Sequence, residues 1–82
     1  MVEREKLIFC DPRAVGAVIR HLRTEKGLAQ EVLSGLAAIS RSGLEQIERG
    51  TRRPTLETVF RLSYALRISP SALVAKIEKP NT

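Results

Sequence analysis

The chain has 82 residues and a formal net charge of +5 at pH 7, with 43% hydrophobic and 28% charged residues. This length and composition are those of one small folded domain, and they exclude an intrinsically disordered chain. The basic charge favours an anionic partner such as nucleic acid, whereas no apolar run approaches the length of a membrane span.

Residues 1–11 are predicted to form an arm that precedes the folded domain. Their charged start lacks the apolar core of a secretory signal, and the apolar run Leu7–Cys10 is too short for a helix. We expect this run to pack in extended form on the domain or on a neighbouring molecule. Cys10, the only cysteine, cannot form an internal disulfide and is expected to be a buried or half-buried apolar residue, which fits a reducing cytoplasm.

The first helix is predicted over residues 12–26. Asp11 is a good N-cap and Pro12 suits the first helical position, whereas Gly27 follows where the helix should stop. Four apolar residues have the i, i+3, i+4, i+7 spacing of a one-sided helix, namely Val15, Val18, Ile19 and Leu22.

Two short helices are predicted next, over residues 30–37 and 41–48, joined by a tight turn. Ser40 caps the second of them and Gly50 ends it. The apolar positions of the pair are Val32, Leu33, Leu36, Ala37, Leu44 and Ile47. The polar edge of the helix over residues 41–48 carries Ser42, Glu45, Gln46 and Arg49. This edge is either a surface for a partner or an ordinary solvated helix face.

A basic loop and two further helices complete the predicted domain. The loop contains Arg52 and Arg53, and Thr55 and Ser69 cap helices over residues 56–66 and 70–77. The predicted buried residues of these helices are Leu56, Val59, Leu62, Leu66, Leu73 and Ile77. Residues 79–82 are expected to fray. The fold class is therefore all-α, a compact domain of five helices over residues 12–78.

Three stretches agree in residue type and spacing with a known pattern. They are G-L-A-Q-x-x-L at Gly27–Leu33, S-R-S-G-L-E-Q-I-E-R-G at Ser40–Gly50, and R-R-P-T-L-E at Arg52–Glu57. With these stretches the chain resembles the lambda-repressor-like (Xre/Cro-type) helix-turn-helix DNA-binding family over roughly Val15–Ile77. The resemblance implies a five-helix domain whose second and third helices form the helix-turn-helix, with the third in the DNA major groove.

The resemblance also implies roles for individual residues. Arg23 and Glu48 match a buried structural ion pair between the first and third helices. The residues expected to read bases are Arg41, Ser42, Glu45 and Gln46. The residues expected to bind phosphates are Gln30, Arg49, Thr51, Arg52 and Arg53, although Gln30 is also placed to meet the edge of the first base pair. Dimers in the family usually form near the end of the fourth helix, here Leu66–Pro70.

Four residues depart from the family pattern. Ala38 stands where the turn usually has glycine, and alanine there costs about 1 kcal/mol of stability if φ is positive. Ser34 replaces an alanine, and its hydroxyl is able to hydrogen-bond to a carbonyl one turn earlier. Gly43 replaces a reading side chain, so either the backbone approaches DNA closely or this position reads more weakly. Three roles are open for the carboxylate of Glu45. It accepts a hydrogen bond from cytosine, or it pairs with an arginine one turn away, or it disfavours binding to incorrect DNA sequences.

The predicted function is sequence-specific binding of double-stranded DNA with a roughly palindromic operator, by a cytoplasmic homodimeric transcriptional regulator that is a repressor by default. The sequence contains no catalytic constellation, and its single histidine, His21, lacks metal-ligand spacing. We therefore expect no enzymatic activity, no metal and no cofactor.

Two alternative functions use the same fold. One is the antitoxin of a toxin–antitoxin pair, in which Leu7–Phe9 or Leu36 binds a toxin or another small protein. The other is the controller protein of a restriction–modification system. Leu36, Phe60 and Tyr64 are predicted either to contact the arm as an extension of the core or to form a surface for a partner.

Overall fold

The computed structural model describes residues 10–78, and within them it contains five α-helices and no strand. The helices are α1 Pro12–Glu25, α2 Gln30–Ala37, α3 Arg41–Arg49, α4 Leu56–Ala65 and α5 Pro70–Glu78. Each bound lies within one residue of its predicted position. The predicted fold class is confirmed, whereas the predictions for residues 1–9 and 79–82 lie outside the described residues.

Side-chain caps explain why four of the helices begin where they do. In each case an oxygen of the residue before the helix accepts a hydrogen bond from a free backbone N–H of the first turn, which stabilises a helix by about 1 kcal/mol. The acceptor and donor pairs are Asp11 with Arg13 at 2.9 Å, Ser40 with Gly43 at 2.9 Å, Thr55 with Thr58 at 3.1 Å, and Ser69 with Ala72 at 3.1 Å. Only α2 begins without such a cap, at Ala29.

An aliphatic core holds the helices together, with α1 packed on α3 and α5, and α2 packed on α3 and α4. Its buried residues are Val15, Ile19, Leu22, Leu33, Ala37, Leu44, Ile47, Leu62, Leu66 and Leu73. Leu44 and Ile47, the predicted inward pair of α3, are 0% and 3% exposed. The core therefore fixes which edge of α3 is turned toward solvent.

The predictions of burial for Leu56 and Cys10 are wrong. Leu56 is 71% exposed because it is the first residue of α4 and follows an exposed loop, so the helix has no neighbour to cover it there. Cys10 is exposed just before α1. In α2 the apolar Val32 and Leu36 are exposed because the helix turns Leu33 and Ala37 inward, which leaves Leu36 on the outside.

A glycine in the middle of α1 permits its close approach to α3. A Cβ at Gly16 would overlap the carbonyl oxygen of Ile47 and would lie 2.6 Å from the carbonyl oxygen of Glu48. No real side chain tolerates such distances to a backbone, so this position requires glycine. The sequence signal was a glycine between the apolar positions Val15 and Ile19 of α1, and the sequence analysis did not use it.

Two non-glycine residues have left-handed backbone conformations at helix ends. Ala38 has φ 58° in the turn between α2 and α3, where Ile39 N donates to Ser34 O at 3.0 Å. The positive φ considered for Ala38 is therefore present. Arg67 has φ 60° after α4, which the sequence analysis did not anticipate. Ser34 Oγ donates to the carbonyl of Glu31 at 3.1 Å, the predicted bond to the preceding turn.

Candidate nucleic-acid interface

The polar edge of α3 faces away from the core and is open within the described part of the chain. It carries the four residues predicted to read bases, which are Arg41, Ser42, Glu45 and Gln46, together with Arg49. Side chains four residues apart lie on one helix face, so the five form one continuous surface. A helix with this exposed polar surface has the width that a DNA major groove admits.

The contacts among these side chains are local and weak. Gln46 Nε2 donates to Ser42 Oγ at 3.4 Å, and Arg49 Nη2 donates to Glu45 Oε1 at 3.2 Å. Both are exposed contacts between residues four apart, each worth about 0.3–0.5 kcal/mol at most. Arg41 has no hydrogen-bond or ion-pair partner among residues 10–78. These side chains are therefore free to exchange their contacts for those of a ligand at small cost.

A buried ion pair joins α1 to α3 behind this surface. Arg23 Nε donates to Glu48 Oε2 at 2.6 Å and Arg23 Nη2 donates to Glu48 Oε1 at 2.9 Å, which is the two-bond geometry that arginine forms with a carboxylate. The two side chains are 12% and 4% exposed. The hydrogen bond to Glu48 raises the pKa of Arg23, outweighing the opposite effect of burial. The two hydrogen bonds between these buried side chains hold α3 against α1.

Two further groups complete the surroundings of that ion pair. Arg23 Nη1 donates to the carbonyl of Leu28 at 2.7 Å, and Gln30 Nε2 donates to Glu48 Oε1 at 3.0 Å. The structure therefore places Gln30, a predicted DNA contact, against the pair with one of its two amide hydrogens in use. The second amide hydrogen of Gln30 has no partner among residues 10–78.

A cleft next to α3 contains one basic residue that the sequence analysis missed. Its lining residues are Arg20, Arg23, Gln30, Glu45, Glu48 and Arg49. Arg20 is exposed on α1, and in the sequence it is one charge among many on the outer face of a helix. Only the packing of α1 on α3 brings it beside the predicted DNA contacts.

The loop after α3 is bound to the helix and to the segment before α1. Thr51 Oγ1 and Thr51 N both donate to the carbonyl of Gln46, at 3.2 and 3.0 Å. Arg53 Nη1 donates to the carbonyl of Cys10 at 2.7 Å. Thr51 and Arg53 are exposed at the same end of the domain as the C-terminus of α3. Two of the predicted phosphate-binding residues are thus held in place by backbone carbonyls.

Gly43, which replaces a reading side chain of the family pattern, is not open to solvent on α3. It is buried, and a Cβ built on it would lie 2.9 Å from Ser40 Oγ and 3.3 Å from Arg52 Nη1. The guanidinium of Arg52 therefore lies over the backbone of α3 at this residue. The capping bond of Ser40 and the reach of a long arginine cause this burial, and neither is visible in the local pattern.

The chain was compared with known proteins. The profile of the helix-turn-helix family HTH_3 matches residues 19–73. An HTH-type transcriptional regulator of Sinorhizobium fredii is 37% identical over 67 residues, which are 82% of this chain and 87% of that protein. The immunity repressor protein of Bacillus phage phi105 is 40% identical over 62 residues, or 76% of this chain and 43% of that protein.

Solved structures show the same similarity. The restriction-modification controller protein C.AhdI from Aeromonas hydrophila superposes with a TM-score of 0.75 and 40% identity, over 79% of this chain and 98% of that one. The clp gene regulator ClgR from Corynebacterium glutamicum superposes with a TM-score of 0.76 and 26% identity, over 80% and 70%. No helix among residues 10–78 has the length and apolar character required to cross a membrane.

Proposed function

The chain belongs to the helix-turn-helix family HTH_3 of DNA-binding transcriptional regulators, and from this membership we propose that it binds a specific double-stranded DNA operator and represses transcription there. The observation that carries the proposal is the open polar edge of α3, held rigidly by the Arg23–Glu48 pair behind it. A rigid helix loses little conformational entropy on binding, so its polar groups contribute to affinity and specificity.

In the proposed complex α3 lies in the major groove. Its base-reading residues are Arg41, Ser42, Glu45 and Gln46. Arginine is suited to guanine, glutamine to adenine and glutamate to cytosine, and each good pair discriminates by about 1–3 kcal/mol. The residues that contact phosphates are Gln30, Arg49, Thr51 and Arg53. These contacts add affinity without reading sequence, because they release counterions from the DNA.

We further propose that the protein acts as a homodimer on a roughly palindromic operator, with two copies of α3 in successive major grooves about 34 Å apart. The predicted interface at Leu66–Pro70 does not use Leu66, which is fully buried. It uses Arg67 and Ser69, which are exposed, and the neighbouring Val74 of α5, which is 47% exposed. A Val74→Glu variant should sediment as a monomer at concentrations where the parent chain is a dimer.

A second candidate function is that of a restriction–modification controller protein. It is favoured by the 40% identity to C.AhdI, of which this chain covers 98%. The mode of DNA binding would be the same, and the genes beside the operator would differ. The antitoxin alternative is supported by the exposed Leu36, at 62%, and it predicts that a small partner protein co-purifies with the chain.

The decisive experiment is selection of binding sites from a random duplex pool, followed by affinity measurements across a salt series. Sequence-specific binding should give one enriched motif, and log K should fall with log salt by about 0.9 per phosphate contacted. Gln46→Ala should relax the preference at one base position of each half-site. If no motif is enriched from the pool, the proposed function is wrong.

A further inference from the structure

Arg52 has a position that a simple phosphate contact does not require. It lies in the loop three residues after the end of α3, yet its Nη1 is 3.3 Å from the point that a Cβ of residue 43 would occupy. Its side chain therefore extends back along α3 toward the N-terminal half of that helix. Gly43 is the only residue of α3 without a side chain, so the guanidinium occupies space that any other residue would fill.

The guanidinium of Arg52 covers Gly43 but makes no polar contact within the described part of the chain. Among residues 10–78 it has no hydrogen-bond or ion-pair partner, and the residue is exposed. By contrast, Arg53 is bonded to the carbonyl of Cys10 and Arg49 to the carboxylate of Glu45. With respect to residues 10–78, all five N–H donors of Arg52 are therefore available to a ligand.

The location of this guanidinium relative to α3 suggests what the ligand is. Gly43 lies one helical turn before Gln46, beside the edge that Gln46 and Ser42 share. The N-terminal residues of such a helix are the ones that contact base edges when it enters a major groove. A flat fork of donors at this place matches the two acceptors that guanine exposes in the groove, O6 and N7.

We infer that Arg52 is a base-reading residue, specific for guanine, which acts at the position of α3 where Gly43 leaves no side chain. The inference rests on the proposed function, and it replaces the phosphate contact expected from the sequence. Gly43 is then a positioning residue, because a methyl group there would displace both the guanidinium of Arg52 and the hydroxyl of Ser40. The reading group at this position is thus supplied by the loop that follows α3.

The test compares binding-site selections and affinities for Arg52→Ala, Arg52→Lys and the unchanged chain. Arg52→Ala should lose a guanine preference of about 5- to 150-fold at one base pair of each half-site, and Arg52→Lys should weaken the same preference, with the other positions unchanged in both variants. Lysine keeps the positive charge but not the fork, so Arg52→Lys should retain most of the affinity for DNA that lacks this guanine. Arg61→Ala is the matched control, because Arg61 is an exposed arginine of α4 that bonds only Glu57, and it should leave the motif intact.

A second pair of variants tests the role of the glycine. Gly43→Ala should weaken the preference at the same base pair as Arg52→Ala, because the added Cβ forces the guanidinium to move. The double variant should lose no more at that position than Arg52→Ala alone. Gly35→Ala adds the same methyl group to α2, where nothing lies within 4 Å, and should leave the motif unchanged. Thermal melting of each variant confirms that the compared proteins are folded.

The outcomes separate this inference from the proposed function. If Arg52→Ala weakens all sequences by one factor and Arg52→Lys restores them, while Gln46→Ala still alters a single position, Arg52 contacts only phosphate and the inference is overturned. If the unchanged chain enriches no motif at all, the proposed function fails, and the inference fails with it.

Discussion

Removal of the carboxylate of Glu48 is predicted to destabilise the fold severely. Glu48→Ala leaves Arg23, only 12% exposed, without its counter-charge, and it removes the acceptor for Gln30 Nε2. Breaking a buried pair on one side costs about 3–5 kcal/mol. A chain of 82 residues has a total stability of about 4–12 kcal/mol at the usual 0.05–0.15 kcal/mol per residue. The variant should therefore lose a quarter or more of its stability.

Urea denaturation and thermal melting followed by circular dichroism measure this loss. Because about 1 kcal/mol shifts the melting temperature of a domain this small by about 4–8 °C, the melting temperature should fall by at least about 12 °C. Glu57→Ala is the matched control. It breaks the exposed pair with Arg61, whose side chains are 73% and 44% exposed, and it should cost less than about 1 kcal/mol.

Two further results bear on the same reasoning. Replacing both partners, as Arg23→Met with Glu48→Leu, should recover much of the loss, because no buried charge is then left unpaired. Because the hydrogen bond to Glu48 raises the pKa of Arg23, the stabilising contribution of Arg23 is kept as the pH rises from neutrality to the normal titration range of arginine, and it is lost only above that range. Stability due to Arg23 should thus not change between pH 7 and about pH 10. A loss below about 1 kcal/mol for Glu48→Ala would refute the account of the pair.

Three other predictions concern glycine and alanine positions. Gly16→Ala should destabilise the chain by about 1–3 kcal/mol or more, because its Cβ would overlap the backbone of α3. An unchanged urea midpoint would contradict the close packing of α1 on α3. Ala38→Gly should stabilise the chain by about 1 kcal/mol, because glycine removes the conformational cost of φ 58° at this residue. A lower melting temperature would argue against a left-handed conformation there. Gly35→Ala should raise the free energy of unfolding by about 0.5–1 kcal/mol through helix propensity alone, because the added methyl group contacts nothing within 4 Å. Urea denaturation measures this gain. Any loss of stability would show that α2 is packed differently there.

The helix bounds and the family could both be predicted from local sequence patterns. Caps such as Ser40 and Thr55 act on N–H groups three residues away, and the apolar spacing of α1 is also a short-range signal. The residues that form each cap or apolar repeat lie close together in the sequence, so all five helix bounds could be predicted to within one residue. Several short motifs match the helix-turn-helix family pattern across most of the chain, and the comparisons confirm the family.

The face that each helix turns toward the core could be predicted only in part. α3 has a single apolar edge, so its inward pair was unambiguous. In α2 the apolar residues Val32, Leu33, Leu36 and Ala37 form one stripe about 140° wide. Only the packing of α2 on α3 and α4 decides that the Leu33 and Ala37 side of this stripe is buried and the Val32 and Leu36 side is exposed. The same applies to Leu56, whose exposure depends on where α4 begins relative to its neighbours.

Tertiary structure alone decided the long-range contacts around the candidate site. The need for glycine at residue 16 comes from carbonyl groups of α3, about thirty residues later in the chain. The position of Arg52 over Gly43, the bond from Arg53 to Cys10 and the place of Arg20 beside α3 depend on long side chains that meet distant parts of the backbone. Local chemistry specifies where a helix forms, whereas the packing of one helix on another specifies which surfaces meet and which side chains remain open to DNA.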